Sequence, residues 1–270
     1  MFFETLKSYT FLILPWFLLG IILTFLVEKY LHPKILKSLT GKFNFIEIAI
    51  VVVLGMLSPL SIMAFLPVAG ELAEWGVPAA VLFSFFIAER AYDLQSFFII
   101  SSLLGIKLAI LSVVVILTSL LVSAYSLKNE KVIFRAKEKR KKEAFWKRQL
   151  KTLLIVIVGI ILGALLKTLI PKNYFGQLSG GKLSGIITSL IIGFSLYLGP
   201  ILGNYPVAKA FSDLGMSGAG ILTFLTISPI LNFVIILLFS SSVGFKKTLK
   251  AVLVYSITGL ILVIFVSSFL

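Results

Sequence analysis

Three ionisable side chains, Glu89, Arg90 and Asp93, follow the apolar run 77–88 of this 270-residue chain. A charge is costly in hydrocarbon, so ionisable groups in such a segment favour a binding or ion-coupling function. Residues three and four apart share a helix face, so all three could face one cavity. Glu89 or Asp93 is predicted to bind a coupling ion, with Arg90 as its partner or as an anion ligand. Alternatively, Arg90 pairs with an acid to hold a broken helix, or the cluster lies in interfacial water.

Uncharged hydrogen-bonding residues are the other candidates for this chemistry. Ser228, Pro229 and Asn232 occupy the place in the second half of the chain that the charged cluster has in the first. Asn204 could add a dipole to the same cavity, whereas Lys209 is expected to extend its ammonium group to the interface. The predicted substrate or coupling-ion residues are Glu89, Arg90, Asp93, Ser61, Asn204, Ser228 and Asn232.

The composition requires these residues to lie in a membrane. Hydrophobic residues make up 59% of the chain, charged residues only 13%, and the mean hydropathy is +1.09. Four apolar stretches approach or exceed the roughly 20 residues that cross the hydrocarbon. They are 11–27, 100–124, 152–170 and 251–270. The sequence therefore predicts an all-α polytopic membrane protein.

Several kinds of chemistry have no support in the sequence. The chain has no cysteine, which excludes disulfides, thiolate catalysis and thiolate metal sites. It shows no phosphate-binding glycine loop and no nucleophile with a histidine partner, and its single histidine, His32, has no second metal ligand near it in the sequence. We therefore expect no enzyme activity, no cofactor and no metal site.

The net charge of +14 is concentrated in one place, since 11 of the 25 Lys and Arg residues lie between Lys128 and Lys151. A basic stretch between membrane helices is typical of a cytoplasmic loop, which can also touch anionic lipid. Nucleic-acid binding is not expected. The predicted organisation is a first membrane repeat at 1–127, a basic cytoplasmic linker at 128–151 and a second membrane repeat at 152–270.

The two halves match without a gap at an offset of 139 residues. Gly20 falls on Gly159, and Asp93 falls on Asn232. The other matches that carry weight are Pro67 on Pro206, Gly76 on Gly215, Ala80 on Ala219, Phe85 on Phe224 and Gly105 on Gly244. The chain is therefore interpreted as a tandem duplication.

The distribution of basic residues favours inverted halves. With the linker inside and the halves inverted, 18 of the 25 basic residues are cytoplasmic, whereas parallel halves put two lysine clusters outside. Each half is predicted to have about five membrane segments, some broken or re-entrant, because Pro and Gly accumulate in its middle. The breaks predicted to line a central site are Pro59, Pro67, Gly76, Pro200, Pro206, Gly215 and Pro229.

Two segments carry a family resemblance. Residues 59–69, with Gly76 and Phe85, and the second-half motif Ser228-Pro229-x-x-Asn232, preceded by 206–208 and Gly215, resemble the two-repeat predicted permease family that includes organoarsenical efflux permeases. The resemblance covers nearly the whole chain and implies a multi-helix permease of the cell membrane. Ser61 and Met63 stand near positions where the organoarsenical branch carries cysteines, so the resemblance does not imply capture of a soft metalloid by thiolate.

The function predicted from the sequence is a permease that moves a small solute across the cell membrane by alternating access, with efflux and ion coupling as possible modes. Its predicted partners are a small-molecule or ion substrate and the lipid bilayer, and the sequence leaves a homo-oligomer open. The alternative is a non-transporting membrane anchor or subunit of a complex. A membrane enzyme acting on lipid has no site to support it.

Overall fold

The computed structural model describes residues 1–30, 45–56, 79–127, 144–196, 198 and 201–270, and this part of the chain contains helices and no strand. Short 3-10 turns cover Ile201–Gly203 and Ser267–Phe269. The first-half helices are α1 (Phe2–Tyr30), α2 (Phe45–Met56), α3 (Ala79–Ala91), α4 (Ser96–Leu104) and α5 (Ile106–Ser126). The second-half helices are α6 (Phe145–Leu169), α7 (Lys172–Ser179), α8 (Lys182–Ser195), α9 (Asn204–Asp213), α10 (Gly218–Thr226), α11 (Phe233–Val243) and α12 (Phe245–Val266).

Four of these helices can cross a membrane. They contain the apolar segments Phe2–Leu26, Ile106–Ser126, Phe145–Leu169 and Phe245–Phe269, each of 21 to 25 residues. At 1.5 Å per residue, 21 residues extend about 31 Å, the thickness of the hydrocarbon. Large apolar side chains on their outer faces, such as Phe11, Ile157 and Ile261, are exposed. The prediction of an all-α, multi-pass membrane protein is confirmed.

Other helices are short and interrupted. α7 and α8 meet at an angle of 104°, and together they pass the same test of length and composition, which raises the number of spans in the described residues to as many as five. The predicted span 100–124 is divided at Gly105, so Ile100 belongs to α4 and the crossing helix begins at Ile106. Gly105 has φ of 95°, a conformation that interrupts a helix and that residues with a Cβ rarely adopt.

The helix boundaries repeat at the offset found in the sequence. α1 and α6 end at residues 30 and 169, α2 and α8 end at 56 and 195, and α3 and α10 begin at 79 and 218, each pair 139 apart. Gly244 has φ of 92° between α11 and α12, just as Gly105 separates α4 from α5. The positions that correspond to α7 and α9 in the first half fall mostly outside the described residues.

Corresponding long helices pack against each other in opposite directions. Phe25, late in α1, has its ring 5.5 Å from that of Phe145 at the start of α6, whereas the ring of Tyr9, early in α1, lies 5.7 Å from Nζ of Lys167, late in α6. In the same way Ser123, late in α5, donates a 2.9 Å hydrogen bond to the carbonyl of Ala251, early in α12, and Ser119, one turn earlier in α5, lies beside Gly259, two turns later in α12. Both pairs, α1 with α6 and α5 with α12, are therefore antiparallel.

Glycines let α6 touch the backbone of α9 and of the turn before it. A Cβ at Gly159 would lie 2.2 Å from the carbonyl oxygen of Gly203, and one at Gly163 would lie 2.6 Å from that of Pro206. Small residues permit such close approach between helices in lipid, where van der Waals contact drives association. Because Gly159 and Gly163 have no side chain, the backbone of α6 lies directly against the backbone of α9 and of the turn before it.

We predict that Gly159→Ala destabilises the protein by about 1–3 kcal/mol, the usual cost of overpacking. The matched control is Gly176→Ala in α7, where a Cβ would meet only the carbonyl oxygen of Leu214 at 3.4 Å. This control is expected to change stability by less than about 1 kcal/mol, in the stabilising direction. Thermal unfolding of both purified variants in detergent measures the difference, and equal stability would contradict the close contact of α6 with the turn before α9.

Candidate functional site

A small, partly open cavity lies where the ends of several broken helices meet. About 10 Å³ of it is open to the centre of a water molecule. That is room for about one water. Its described lining residues are Arg90, Gly193, Leu196, Leu198, Asn204, Phe224, Ser228, Pro229 and Asn232.

Helix ends from both halves form the wall of this cavity. Arg90 lies in the last turn of α3, and Asn204 is the first residue of α9. α8 ends just before Leu196, α10 ends just before Ser228, and Asn232 directly precedes α11. Helix ends carry unsatisfied backbone groups and partial charges, so this convergence creates a polar site within an apolar protein.

Asn232 satisfies two of these helix ends at once. Its Oδ1 accepts a 3.0 Å hydrogen bond from the backbone N–H of Val234 and so caps the start of α11. Its Nδ2 donates to the carbonyls of Gly193, Phe194 and Leu196 at the end of α8, at 3.0, 3.3 and 3.4 Å. The side chain is only 2% exposed, so these bonds replace the water that the backbone would otherwise need.

Asp93 has the same structural role in the first half. Its Oδ1 accepts hydrogen bonds from the backbone N–H groups of Gln95 and Ser96, at 3.1 and 3.0 Å, and from the hydroxyl of Ser96 at 2.8 Å. The hydroxyl of Tyr205 in α9 donates to Ser96 Oγ, which links this cap to the second half. One carboxylate oxygen of Asp93 is thus committed to the start of α4.

Glu89 is the less constrained of the two acids. Its side chain is half-buried and its Oε2 is enclosed. No donor among the described residues lies within hydrogen-bonding distance of this oxygen. Since an enclosed carboxylate oxygen without a donor loses its solvation, the site favours a proton or another cation on Glu89.

The structure brings five of the predicted site residues together and separates others from them. Arg90, Asn204, Ser228, Asn232 and Pro229 line the cavity, and Arg90 and Ser228 are 7% and 5% exposed. Glu89 and Asp93, although next to Arg90 in the chain, are not among its described lining residues. Ser61, Pro59, Pro67, Gly76 and Pro200 lie outside the described residues.

Pro206 and Gly215 have positions away from this cavity. Pro206 is buried inside α9, with its carbonyl against Gly163. Gly215 ends α9 with φ of 95°, and the N–H of the next residue, Met216, bonds to the carbonyl of Phe211 in the pattern of a left-handed helix terminus. Gly215 lines an open groove together with Lys172, Asn173, Gly176, Gln177 and Leu214.

A second polar cluster, at the far end of α9, is one that sequence reasoning did not assemble. Asp213 forms ion pairs with Lys167 at 2.6 Å and with Lys209 at 2.8 Å, and it accepts a 3.0 Å hydrogen bond from the hydroxyl of Tyr9. The cluster joins α9 to α6 and to α1 of the first half. Only the Lys209–Asp213 spacing of four residues signals it in the sequence. Lys209 therefore holds an ion pair in the structure, although it was expected only to extend to the interface.

The described residues offer little for a metal ion, because no group of three His, Asp or Glu side chains among them lies close enough together to bind one. Comparison with family models, with curated proteins and with solved structures found no match. The resemblance seen in the sequence motifs stays a prediction. The argument for function therefore depends on the geometry of the cavity.

We predict that Asp93→Asn preserves the fold and that Asp93→Ala destabilises it by about 0.5–2 kcal/mol, the cost of losing a helix cap. An asparagine oxygen can accept the same bonds, as Asn232 shows at the corresponding position of the second half. Thermal unfolding of the two variants beside the unmodified protein measures the difference. If Asp93→Asn destabilised as much as Asp93→Ala, the negative charge and not the cap would be what the fold needs.

Proposed function

We propose that this protein is a permease that moves a small solute across the cell membrane by alternating access, with the Arg90 cavity as the solute site. The observation that carries the proposal is that Arg90 of the first half meets Asn204, Ser228 and Asn232 of the second half in one small cavity bounded by broken helices. Membrane transporters commonly place their sites at such breaks, at the interface of two repeats. A catalytic function is not part of this proposal.

Inverted halves are part of the proposal. Repeats related by an axis in the membrane plane must place corresponding helices in opposite directions. The antiparallel packing of α1 with α6 and of α5 with α12 supports this arrangement. Parallel repeats would instead require each of these pairs to run the same way. The recurrence of the helix boundaries 139 residues apart supports the same view.

The orientation follows from the basic residues. α6 begins with Lys147 and Arg148 nearby, and α12 begins with Lys246 and Lys247 nearby. Both helix starts lie on the same face as the ends of α1 and α5, because those helix pairs are antiparallel and the linker joins α5 to α6. Cytoplasmic ends of membrane helices are rich in Lys and Arg, so this face is proposed to be cytoplasmic.

We predict that single cysteines at Trp146 and Tyr174 react from opposite sides of the membrane. The two side chains are 69% exposed and lie at opposite ends of α6 and its continuation, and the chain has no native cysteine to interfere. A membrane-impermeant maleimide applied to intact cells should label Tyr174→Cys, and Trp146→Cys should react only after lysis. The reverse pattern would contradict the proposed orientation.

Alternating access requires the wall of the cavity to move, and α9 is the element best placed to do this. Its first residue, Asn204, lines the cavity, and its last residue, Asp213, lies about 13.5 Å further along the helix, at the cluster with Lys167, Lys209 and Tyr9. Since the cavity has room for about one water, a solute can enter only after an element of its wall moves.

Glu89 is proposed as the coupling group. Asp93 was an equal candidate from the sequence, but its Oδ1 is engaged in capping α4, a role that asparagine can fill. The enclosed Oε2 of Glu89 has no described hydrogen-bond donor and gains most from binding a proton. A change in the charge of Glu89 would alter its electrostatic interaction with the adjacent Arg90, whose side chain lines the cavity.

We predict that proteoliposomes containing the protein take up at least one solute from a panel of oxyanions, metalloids and small organic solutes. A pH gradient should drive accumulation in the unmodified protein and in Asp93→Asn. Glu89→Gln should lose accumulation but keep downhill exchange, because its side chain can no longer release a proton.

Several outcomes would count against parts of this proposal. Transport that is unchanged in the Glu89→Gln, Asp93→Asn double variant would refute the assignment of the coupling group. If no solute moves and a soluble subunit copurifies in stoichiometric amount, the anchor function would replace the permease.

A further inference from the structure

We infer that the solute bound in the Arg90 cavity is a small inorganic anion, held by Arg90 and Asn204. This inference rests on the proposed transport function and names the substrate class of the same site. It depends on which charges and which hydrogen-bonding atoms remain available at the cavity wall.

The described lining residues carry one positive charge. Arg90 is the only charged residue among the described lining residues, and it is 93% buried. The nearby carboxylate of Asp93 faces the start of α4, and Glu89 is not among the described lining residues. A guanidinium has five N–H donors, so it can serve a neighbouring carboxylate and a bound anion together.

Backbone oxygens that converge at this end of α8, and others near the wall, are already engaged. The carbonyls of Gly193, Phe194 and Leu196 accept from the Asn232 amide, and Asn232 Oδ1 accepts from Val234. At the end of α10, the carbonyl of Thr226 accepts a 2.7 Å hydrogen bond from the hydroxyl of Tyr255. Asn204 Oδ1 and Ser228 Oγ are the side-chain oxygens left to accept among the described lining residues, fewer than the roughly six to eight oxygen ligands that Ca²⁺ takes.

Donors, by contrast, remain at the wall. Asn204 Nδ2 lies 3.5 Å from the carbonyl of Leu198, a distance too long for a strong hydrogen bond, so this amide can turn towards a ligand. Asn204 is also the first residue of α9, where the helix dipole is positive. Together with Arg90, these groups favour a negative ligand.

The small size of the cavity favours a small ligand. The space open to a water centre is about 10 Å³, so an ion of few atoms, such as chloride or nitrate, requires less movement of the wall than a larger solute. A solute with a long apolar chain would have to displace Phe224 and Leu198 from the wall.

The test measures efflux of chloride and nitrate from proteoliposomes with ion-selective electrodes, beside rubidium as a cation and urea as a neutral solute. The unmodified protein is expected to release an anion and to retain rubidium and urea. Asn204→Asp should lower anion efflux at least about tenfold, because it places a negative charge beside the bound anion.

Matched variants distinguish a loss of efflux caused by the added charge at the cavity from a loss caused by damage to the fold. Asn173→Asp makes the same change on the exposed surface of α7 and should leave efflux unchanged. Arg90→Lys should keep part of the efflux and Arg90→Gln should lose it, while Asn204→Ser, which adds no charge, shows whether position 204 tolerates substitution.

The outcomes distinguish this inference from the function on which it rests. Anion efflux that Asn204→Asp lowers and Asn173→Asp does not would support the inference. Movement of rubidium or urea without movement of chloride or nitrate would refute an anion as the substrate class, but it would support the proposed transport function. Equal anion efflux in Asn204→Asp and in the unmodified protein would show that the anion binds somewhere other than this cavity. If no solute moved, both the anion inference and the transport function would be refuted.

Discussion

A broken helix inside a membrane must find hydrogen-bond partners for its ends, because hydrocarbon supplies none. In this protein, Asn232 meets that requirement at the end of α8 and at the start of α11, and Asp93 meets it at the start of α4. These caps allow the chain to stop and restart helices in the interior of the protein. The cavity exists because those ends are brought to one place, and its polarity comes from the same groups. The candidate site is therefore a consequence of how the fold satisfies its own backbone.

The two halves meet this requirement with different chemistry. Asp93 and Asn232 are 139 residues apart and each caps the helix that follows, yet one can carry a charge and the other cannot. The charge of the first half is balanced in part by Arg90, which reaches the cavity, while the second half contributes neutral amides and a hydroxyl. The proposed duplication would in this way have given rise to an asymmetric site, in which one half supplies the charge and the other most of the described wall.

α9 connects this site to the surface of the protein. Its start lines the cavity, its glycine-lined contact with α6 allows close packing, and its end is held by ion pairs of Asp213 with Lys167 and Lys209. Tyr205 also ties α9 to Ser96 of the first half. A movement of α9 would therefore alter the cavity wall, the contact between the halves and the outer ion pairs together. This is the kind of two-ended element that an alternating-access mechanism needs.

The sequence alone determined the membrane class, the long crossing helices and the 139-residue offset, because length, hydropathy and the matched glycines are local or periodic properties. It also singled out Arg90, Asn204, Ser228 and Asn232 as polar residues in apolar segments. Only the tertiary structure decided that these four share a cavity and that Asp213 pairs with Lys167. Both are settled by packing between elements that no spacing rule relates, since Arg90 and Asn232 lie 142 positions apart and hydrophobic pattern does not specify which helix ends meet. The cap that Asp93 places on α4 is local, so its spacing to Ser96 was already present in the sequence.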